Sequence, residues 1–455
     1  MRTRKRNYKG GNVLASGGFG CIFKPALKCK DSPVTIDSTI TKLMTIKNAK
    51  YEYDQINTFK SILSKIQNYQ DYFLVDGFTL CEPDKLTEED IDNFDEKCKA
   101  LKKKKMTSEN INRNLNKILA LNMPYGGVDI DDYLDYHLDK TNIRQIFLNI
   151  NTSLIKLLVN GIIPMNKLNL YHCDVKGSNM LIQEYTNDSI ETRLIDWGLS
   201  VYQENINSKK IPQKLSRRPF QYNVPFSVIL FNKTFIEKYT LFIEINLKKG
   251  PISYYSIREF VINYIFIWNK IRGIGHLKTI NSIIKKLTYN ELYTIQKENV
   301  KNQLIEYEFT YYYIIEYISK ILFKYTINGK LLLLDYFNNV FLKTIDIWGF
   351  IMIYVVFLNR LYQLYGYNNL NEKQSLLVSK IKYIVVHFLF ESPTEAIVLN
   401  RLDELVAELN GLNDIISDFS KINKKYNNNL FLLSKKDIQE IGGSSNRKTR
   451  KTRKP

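Results

Sequence analysis

The feature that most restricts how this chain folds is a change in the spacing of its apolar residues. Apolar and polar residues alternate around glycines over residues 10–45, a pattern typical of short strands joined by tight turns. Over residues 50–67 the spacing becomes helical, and from about residue 235 onward almost every segment has helical spacing. The sequence therefore predicts an α+β fold, with a small strand-rich part followed by a larger helical part. The face of the 50–67 helix is formed by Ile56, Phe59, Ile62, Leu63 and Ile66.

Between these regions the chain alternates between short strands and helices. A strongly amphipathic helix is predicted over residues 143–160, and a polar stretch over residues 84–116 predicts a surface loop that carries the basic run 102–105. The boundary between the strand-rich and helical parts falls near residues 124–127. Further strands are predicted at residues 72–80 and 118–123 and, as a strand–turn–strand unit, at 180–195.

Composition excludes several classes of protein. A chain that is 44% hydrophobic and 13% aromatic, with 11 Pro and 20 Gly, has enough apolar surface for a core, so it is neither collagen-like nor wholly disordered. No apolar run reaches the roughly 18 residues of a membrane span, and the densest run, 347–358, predicts a buried core helix. No secretory signal follows Met1. The five cysteines are too few and too irregularly spaced for a disulfide framework or a zinc site, which predicts a reduced, intracellular chain.

The net charge of +19 is concentrated at the two ends of the chain. Residues 1–9 and 441–455 carry eleven of these positive charges and no acidic residue, so the middle of the chain is only mildly basic. Such tails favour nucleic acid, an acidic protein or an anionic lipid surface as a partner. Flexible solubilising ends are the alternative interpretation.

The first segment that carries chemistry is a glycine-rich stretch near the start of the chain. Glycine allows a sharp turn between strands and a close approach of backbone N–H groups to a phosphate. Ala15 excludes the G-x-G-x-x-G dinucleotide fingerprint, and the lack of Gly-Lys-Ser/Thr excludes a Walker A loop. A glycine-rich hairpin without a ligand remains the alternative. The candidate phosphate-binding residues are Leu14, Ala15, Ser16, Gly17, Gly18, Phe19, Gly20 and Ile22.

The second segment combines three polar side chains at short spacing. Asp174 is followed by Lys176 and then by Asn179. A carboxylate can orient a hydroxyl and accept its proton, an ammonium can neutralise a γ-phosphate, and an amide oxygen can ligate Mg²⁺. The set therefore indicates phosphoryl transfer, with a polar turn ahead of a strand as the alternative.

The third segment is Asp196, which directly follows the apolar pair Leu194 and Ile195 and precedes Trp197 and Gly198. A carboxylate at the end of a buried strand is a good ligand for a hard cation. An ordinary Asx turn that closes the strand is the alternative.

In this order and at these distances, the three segments resemble the protein kinase superfamily, and more narrowly the divergent serine/threonine kinases of large nucleocytoplasmic DNA viruses. The resemblance covers residues 10–225 and resumes near Asp346. It implies a bilobal protein-kinase-like fold, with a small β-rich N-lobe and a larger helical C-lobe that contains a long helical insertion. Residues 346–349 resemble the start of the helix that supports the catalytic loop.

The resemblance also implies the roles of the polar residues and two cofactors, ATP and Mg²⁺ or Mn²⁺. Asp174 corresponds to the catalytic aspartate and Lys176 to its phosphate-neutralising partner, which serine/threonine-directed kinases carry. Asn179 and Asp196 correspond to the metal ligands, with Trp197 in place of the phenylalanine of the D-F-G motif.

A kinase also needs a strand lysine that holds the α/β-phosphates and a helix glutamate that pairs with it. Lys42 lies in an apolar alternating run, and Glu52 is the only glutamate between Lys42 and Asp71. The alternative for Glu52 is a residue that interacts with the helix dipole. The adenine-binding hinge is predicted at Met123, Pro124, Tyr125 and Gly126, with Ile22 and Ile40 above the base, Leu181 below it and Asp129 near the ribose.

Three departures from the family pattern stand out. Cys173 occupies the position where most kinases have an arginine before the catalytic aspartate, and residues 217–225 replace Ala-Pro-Glu. Arg217 or Arg218 is an alternative source of the missing charge. The chain from Asp196 to Asp346 is also far longer than in most kinases. The predicted division is a basic tail at 1–9, an N-lobe at 10–123, a first part of the C-lobe at 124–234, a helical insertion at 235–335, the rest of the C-lobe at 336–440 and a basic tail at 441–455.

These features predict a serine/threonine protein kinase that transfers the γ-phosphate of ATP to hydroxyl groups of protein substrates. A pseudokinase scaffold that binds partners through its insertion and tails is the first alternative, although none of the essential residue types is missing. A kinase for small molecules is disfavoured by Lys176. The resemblance also predicts a viral protein in the host cytoplasm and leaves open whether it is packaged in virus particles.

Overall fold

The computed structural model describes residues 11–30, 38–185, 189–203, 210–216, 218–273, 277–287, 308–366 and 369–419. The two basic tails therefore lie outside the described residues. The first part of the chain forms one antiparallel sheet, the N-terminal sheet, with strand order β1-β2-β3-β5-β4. Its strands are β1 (Asn12–Ser16), β2 (Gly20–Lys24), β3 (Thr39–Thr45), β4 (Thr79–Cys81) and β5 (Ile118–Pro124).

The alternation of side chains gives this sheet two apolar faces. Met44, Leu119 and Leu121 point to one face and join the main core of the protein. Helix α1 (Ile46–Leu63) covers this face, and the predicted apolar residues from Ile56 to Ile66 are all buried. The helix therefore has the predicted buried face, but it begins directly after β3 and ends at Leu63.

The opposite face of the sheet is covered by residues 82–117, which we call the 82–117 segment. The prediction of a surface loop at residues 84–116 was wrong. Three short helices fold there, and their apolar residues form a second core with the sheet, because a few apolar side chains among many polar ones suffice for a thin layer. The basic run 102–105 is exposed. The residues of the segment that belong to this second core are Leu86, Phe94, Cys98, Leu101, Met106 and Ile111.

Two disulfides form in and around the N-terminal sheet, so the prediction of a reduced chain without disulfides was wrong for four of the five cysteines. Cys21 pairs with Cys98, and Cys29 pairs with Cys81. The partners are 77 and 52 residues apart in sequence. The first disulfide attaches the 82–117 segment to β2, and the second attaches the residues that follow β2 to β4. Cys173 is a free, buried thiol.

The remainder of the chain is mainly helical, which confirms a mixed α+β fold with a small sheet-rich N-terminal region. The predicted strand–turn–strand unit forms a three-stranded sheet of order β6-β8-β9, while β7 pairs with β10 and β11 with β12. Of the strand predicted at 72–80, only the end belongs to β4. The strands are β6 (Val128–Asp129), β7 (Leu170–Tyr171), β8 (Met180–Glu184), β9 (Ile190–Leu194), β10 (Val201–Tyr202), β11 (Thr326–Ile327) and β12 (Lys330–Leu331).

Helices make up most of the described chain after β6. Residues 277–287 are also helical, and π-helical turns connect α6 to α7 and α12 to α13. The helices are α2 (Glu88–Ile91), α3 (Phe94–Lys97), α4 (Lys99–Lys102), α5 (Ile130–His137), α6 (Ile143–Leu157), α7 (Ile163–Lys167), α8 (Gln213–Ser216), α9 (Lys233–Leu247), α10 (Tyr254–Arg272), α11 (Glu308–Tyr325), α12 (Leu333–Tyr336), α13 (Leu342–Ile353), α14 (Val355–Tyr365), α15 (Glu372–Val385) and α16 (Asn400–Ser417).

The most apolar helices lie inside the protein. The stretches Ile143–Lys167 and Leu333–Tyr365 are long and apolar enough to cross a membrane by length and composition alone. However, 56% of the apolar window of the first and 89% of that of the second are buried in the fold. They are therefore core helices, and the described residues contain no clear membrane span. The prediction of a buried helix at 347–358 is confirmed.

Candidate active site

A buried aspartate of α13 holds residues 171–179, which we call the 171–179 loop, in place. Asp346 accepts one hydrogen bond from the backbone N–H of His172, at 2.8 Å, and one from that of Cys173, at 2.7 Å. Cys173 has a φ of 61°, a conformation that non-glycine residues rarely adopt. The carboxylate thus holds a strained turn in place, and such turns are frequent at functional sites.

Helix α13 approaches the loop very closely. Burial raises the pKa of Asp346 to about 7, although the two backbone N–H groups act in the opposite direction. A Cβ on Gly349 would lie 2.3 Å from the carbonyl oxygen of Val175, so only glycine allows this contact. Residues 346–349 lie well inside a helical stretch that begins at Leu333, and not at the start of a helix.

Asp174 is the most heavily hydrogen-bonded side chain of the loop. Its Oδ2 accepts from Lys176 Nζ at 2.8 Å and from Asn179 Nδ2 at 3.1 Å. Its Oδ1 accepts from Arg218 Nη2 at 2.8 Å and from Asn223 Nδ2 at 2.9 Å. Burial raises the pKa of Asp174, but the charges of Arg218 and Lys176 outweigh burial and hold the pKa below its usual value. Asp174 is therefore a carboxylate at neutral pH.

Asp196 stands beside this group at the end of β9. The backbone N–H of Ile195 donates to the carbonyl of Asn179 at 2.9 Å, which places the Asp196 backbone next to the 171–179 loop. Asp196 is exposed and has a positive φ of 64°. Within the described ranges its carboxylate has no hydrogen bond and no ion pair, so both of its oxygens can take a ligand.

The donor set fits a magnesium ion that is shared with a phosphate. Within the described parts of the chain, no group of three or more His, Cys, Asp or Glu side chains converges as a metal site. Mg²⁺ is commonly held by only one or two protein oxygens together with water and substrate phosphates. Asp196 offers a carboxylate, and Asn179 turns its amide nitrogen toward Asp174, which leaves its hard amide oxygen for a cation.

Trp197 connects Asp196 to the rest of the site through packing. Its buried indole contacts Phe59 of α1 at a ring distance of 5.8 Å, Phe73 at 5.7 Å and His172 at 5.0 Å. The His172 ring also contacts the carbonyl of Ile195 at 2.9 Å. Burial lowers the pKa of His172 to about 4, so the ring is neutral at physiological pH. A continuous apolar contact therefore runs from α1 to the 171–179 loop.

Lys42 and Glu52 form an ion pair between β3 and α1. Lys42 Nζ lies 2.6 Å and 2.8 Å from the two carboxylate oxygens of Glu52, and both side chains are largely buried. Lys42 is paired in register with Ile22, and Ile40 with Met123, so these side chains share the sheet face that also carries α1. The structure thus brings Lys42 and Glu52 together, and Glu52 belongs to α1, the helix whose Phe59 contacts Trp197.

The glycine-rich stretch is the hairpin between β1 and β2. Leu14, Ala15 and Ser16 belong to β1, while Gly20 and Ile22 belong to β2. The turn at residues 17–19 is exposed, with Phe19 60% accessible, and is closed by a hydrogen bond from Gly17 N to Gly20 O. A Cβ on Gly20 would meet Met44 Cγ at 2.3 Å, so this glycine is required by the close contact of β2 with β3.

The predicted hinge follows directly from β5. Met123 and Pro124 end the strand, and the N–H of Tyr125 donates to Ser38 O at 2.8 Å. A Cβ on Gly126 would lie 2.9 Å from Leu181 Cδ1, so Leu181 of β8 lies directly beside the hinge. Asp129, considered for the ribose, instead caps α5 by accepting from the N–H of Asp132 at 2.9 Å.

Arg218 and Asn223 are the site residues that sequence reasoning did not assign. Both lie in the segment 217–225, where the sequence suggested Arg217 or Arg218 as a source of the charge missing at Cys173 but did not assign a contact with Asp174. A signal was present, because an arginine and an asparagine stand just ahead of a fully buried apolar run, Phe226–Phe231, where polar side chains need a partner. The identity of that partner could not be found from sequence alone.

No protein-family model matches the chain, and no curated protein matches it significantly.

Proposed function

We propose that the protein is an ATP-dependent kinase with a bilobal protein-kinase-like fold, which phosphorylates serine or threonine hydroxyls of protein substrates. The observation that carries the proposal is the environment of Asp174. A buried aspartate is kept ionised and is bonded to Lys176 and Asn179, and it stands near Asp196, whose carboxylate is unpaired among the residues that the structure describes. The proposal is supported by the hydrogen-bonded ion pair Lys42–Glu52, since Glu52 lies on α1, the helix whose Phe59 packs on Trp197.

In this proposal Asp174 orients the acceptor hydroxyl and accepts its proton. A carboxylate with a lowered pKa is a weak base, so its main contribution is to position the hydroxyl for attack. Lys176 is the most exposed donor to Asp174 and has a flexible stem, so it can follow the γ-phosphate and neutralise its developing charge.

The nucleotide occupies the space under the N-terminal sheet. Lys42, held by Glu52, binds the α- and β-phosphates, and the turn after Ser16 covers them with backbone N–H groups. The adenine ring lies between Ile22 and Ile40 above and Leu181 below. The N–H of Gly126, which makes no backbone hydrogen bond within the described residues, donates to the ring.

Asn179 and Asp196 would hold the magnesium ions. When bound, Mg²⁺ neutralises phosphate charge and orients the γ-phosphate. The described site offers only two protein ligands, so the remaining coordination positions fall to water and to the phosphates.

The experiment is a transfer assay with γ-labelled ATP and a generic protein acceptor, performed on the full chain. Asp174→Asn should lower the rate by about three orders of magnitude, as should Asp196→Ala. Asp403→Asn, which alters an exposed carboxylate in the first turn of α16, is the matched control and should leave the rate unchanged. Wild-type incorporation no higher than that of Asp174→Asn would reject the proposal and favour a pseudokinase scaffold.

The choice of hydroxyl can be tested in the same reaction. Lys176 two residues after Asp174 is the feature that favours serine and threonine over tyrosine. Hydrolysis of the labelled acceptor should therefore yield phosphoserine and phosphothreonine. A product that is mainly phosphotyrosine would retain the kinase proposal but reject its acceptor class.

A further inference from the structure

Arg218 is a buried arginine that points at the centre of the site. Its side chain is only 3% exposed and belongs to the segment that follows α8. Nη2 donates to Asp174 Oδ1 at 2.8 Å, Nη1 donates to the carbonyl oxygen of Cys173, and Nε donates to Gln221 Oε1 at 2.9 Å. A guanidinium buried to this degree needs such a set of partners.

The two oxygens of Asp174 have different environments. Oδ1 is held by Arg218 and Asn223, both of which are almost completely buried. Oδ2 is held by Asn179 and by Lys176, whose side chain is 26% exposed. Oδ1 is therefore fixed from the interior of the protein, while Oδ2 carries the one exposed donor of the four.

This asymmetry determines which oxygen can receive an acceptor hydroxyl. The two carboxylate oxygens offer about four acceptor positions, and the four donors fill all of them. A hydroxyl can bind only when one donor leaves. Lys176 can move because it is exposed and flexible, whereas Arg218 and Asn223 are confined by packing and by further bonds to Cys173 and Val175.

Arg218 also supplies a charge and a backbone contact that the residue before Asp174 does not supply. The residue before Asp174 is Cys173, whose neutral thiol donates only weakly. Arg218 reaches the carbonyl of this same residue from a different part of the chain, at the point where the backbone has a positive φ. One guanidinium thus holds both the backbone before Asp174 and the carboxylate itself.

We propose that Arg218 is a positioning residue for phosphoryl transfer: together with Asn223 it fixes Oδ1 of Asp174, so that Oδ2 is the oxygen that receives the acceptor hydroxyl once Lys176 moves to the nucleotide. This inference rests on the proposed kinase function. It implies that the acceptor engages Asp174 productively only after ATP has bound, because only then does Lys176 release Oδ2.

The test compares kcat and KM of Arg218→Gln, Arg218→Lys and Asn223→Ala with those of the wild type. Arg218→Gln should lower kcat by about 10- to 100-fold, as expected for loss of a hydrogen bond between charged groups, with KM for Mg-ATP within about twofold. Arg218→Lys keeps the charge but not the planar fork, so its loss should be smaller. Arg258→Gln, which breaks an arginine–glutamate pair 2.6 Å long between α10 and α11, is the matched control and should leave kcat unchanged.

Two further comparisons make the outcome decisive. In the Asp174→Asn background, Arg218→Gln should cause no additional loss, because Arg218 acts through Asp174. Should Arg218→Gln fail to fold, as judged by thermal melting, Asn223→Ala removes the other donor to Oδ1 and should lower kcat by itself. An Arg218→Gln rate equal to that of the wild type would overturn the proposal, and a rate above that of the wild type would overturn it and make Arg218 an inhibitory residue.

Failure of the positioning role and failure of the kinase proposal give different results in these assays. If the wild type transfers no more phosphate than Asp174→Asn, the kinase proposal fails and the role of Arg218 fails with it. If the wild type is active and the Arg218→Gln and Asn223→Ala variants have the same kcat as the wild type, the kinase proposal stands and the positioning role is rejected.

Discussion

Lys42 is a largely buried charge. Its side chain is 12% exposed, and its ammonium is held by both carboxylate oxygens of Glu52. We predict that Lys42→Ala lowers phosphate transfer by at least about 100-fold and raises KM for Mg-ATP, since a phosphate ligand is lost. Lys47→Ala, which removes an exposed lysine from α1, the helix that carries Glu52, serves as the control in the same assay. Equal rates for the wild type and Lys42→Ala would remove Lys42 from the phosphate site.

A second residue-scale prediction concerns His172 and acid stability. Its pKa is lowered to about 4 by burial, while the opposing charges of Asp174 and Asp196 do not compensate and Lys176 acts with burial. In the unfolded chain the ring titrates near its usual value of about 6.5. The folded protein therefore binds fewer protons than the unfolded chain in this interval, and the stability that His172 contributes above pH 6.5 is lost as the pH falls toward 4.

This loss can be isolated with His172→Gln. The difference in unfolding free energy between the wild type and the variant should shrink by on the order of 3 kcal/mol between pH 7 and pH 4. Asp346 changes the stability with pH in the opposite direction, because its raised pKa favours protonation in the folded state. Asp346 is present in both proteins, so its contribution cancels in the difference. Denaturant unfolding at several pH values measures the difference. A constant difference across this range would contradict the lowered pKa.

At the scale of single elements, the 82–117 segment is a packed and crosslinked cover on the outer face of the N-terminal sheet. Ser16 Oγ at the end of β1 accepts a hydrogen bond from Ala100 N at 3.0 Å, and Cys21 of β2 is bonded to Cys98. Both strands next to the glycine turn are thus attached to this segment. The segment therefore limits how far the hairpin can move relative to β3.

The disulfides lead to a direct chemical prediction. Protein purified without reductant and unfolded in guanidinium should react with iodoacetamide at one thiol, Cys173, whereas prior reduction should expose all five cysteines. Replacing Cys21 and Cys98 together by serine should lower the free energy of unfolding by about 2–4 kcal/mol, because the unfolded chain gains freedom. Mass spectrometry of the labelled chain counts the thiols. Five labelled cysteines without reduction would restore the reduced chain that the sequence predicted.

Local patterns predicted most of the elements, because the spacing of apolar residues depends on the period of each helix or strand. The buried face of α1, the strand β5 and the β8–β9 hairpin were found in this way. The cover over the sheet was missed because its apolar residues are sparse and follow no single period. The disulfides were not predictable, and Arg218 was only one of two arginines suggested for the charge missing at Cys173, without its contact to Asp174. Each of these contacts joins residues that are distant in sequence and meet only through packing.

At the scale of the whole molecule, the long region between β10 and α13 shares one core with the candidate site. Tyr317 of α11 packs on Trp348 of α13 at a ring distance of 5.6 Å, and Trp348 Nε1 donates to the carbonyl of Tyr222 at 2.8 Å. Tyr222 lies next to Asn223, which holds Asp174. The helices of this region therefore support the segment that fixes the site. Deleting the region between β10 and α13 is therefore expected to disturb the candidate site itself.

The last prediction concerns the tails, residues 1–9 and 441–455, which carry most of the net charge but lie outside the described residues. If they bind a polyanion, affinity for heparin or DNA should fall steeply with salt, because each neutralised phosphate releases a counterion. Deleting both tails should abolish retention at physiological salt and leave peptide phosphorylation within about twofold, as expected when long-range charge is removed from a site that lies elsewhere. Substituting glutamine for all four lysines of the exposed run 102–105 is the matched control and should change retention little. If the truncated and full-length chains elute at the same salt concentration, or if the control alone abolishes retention, the tails are only solvated ends.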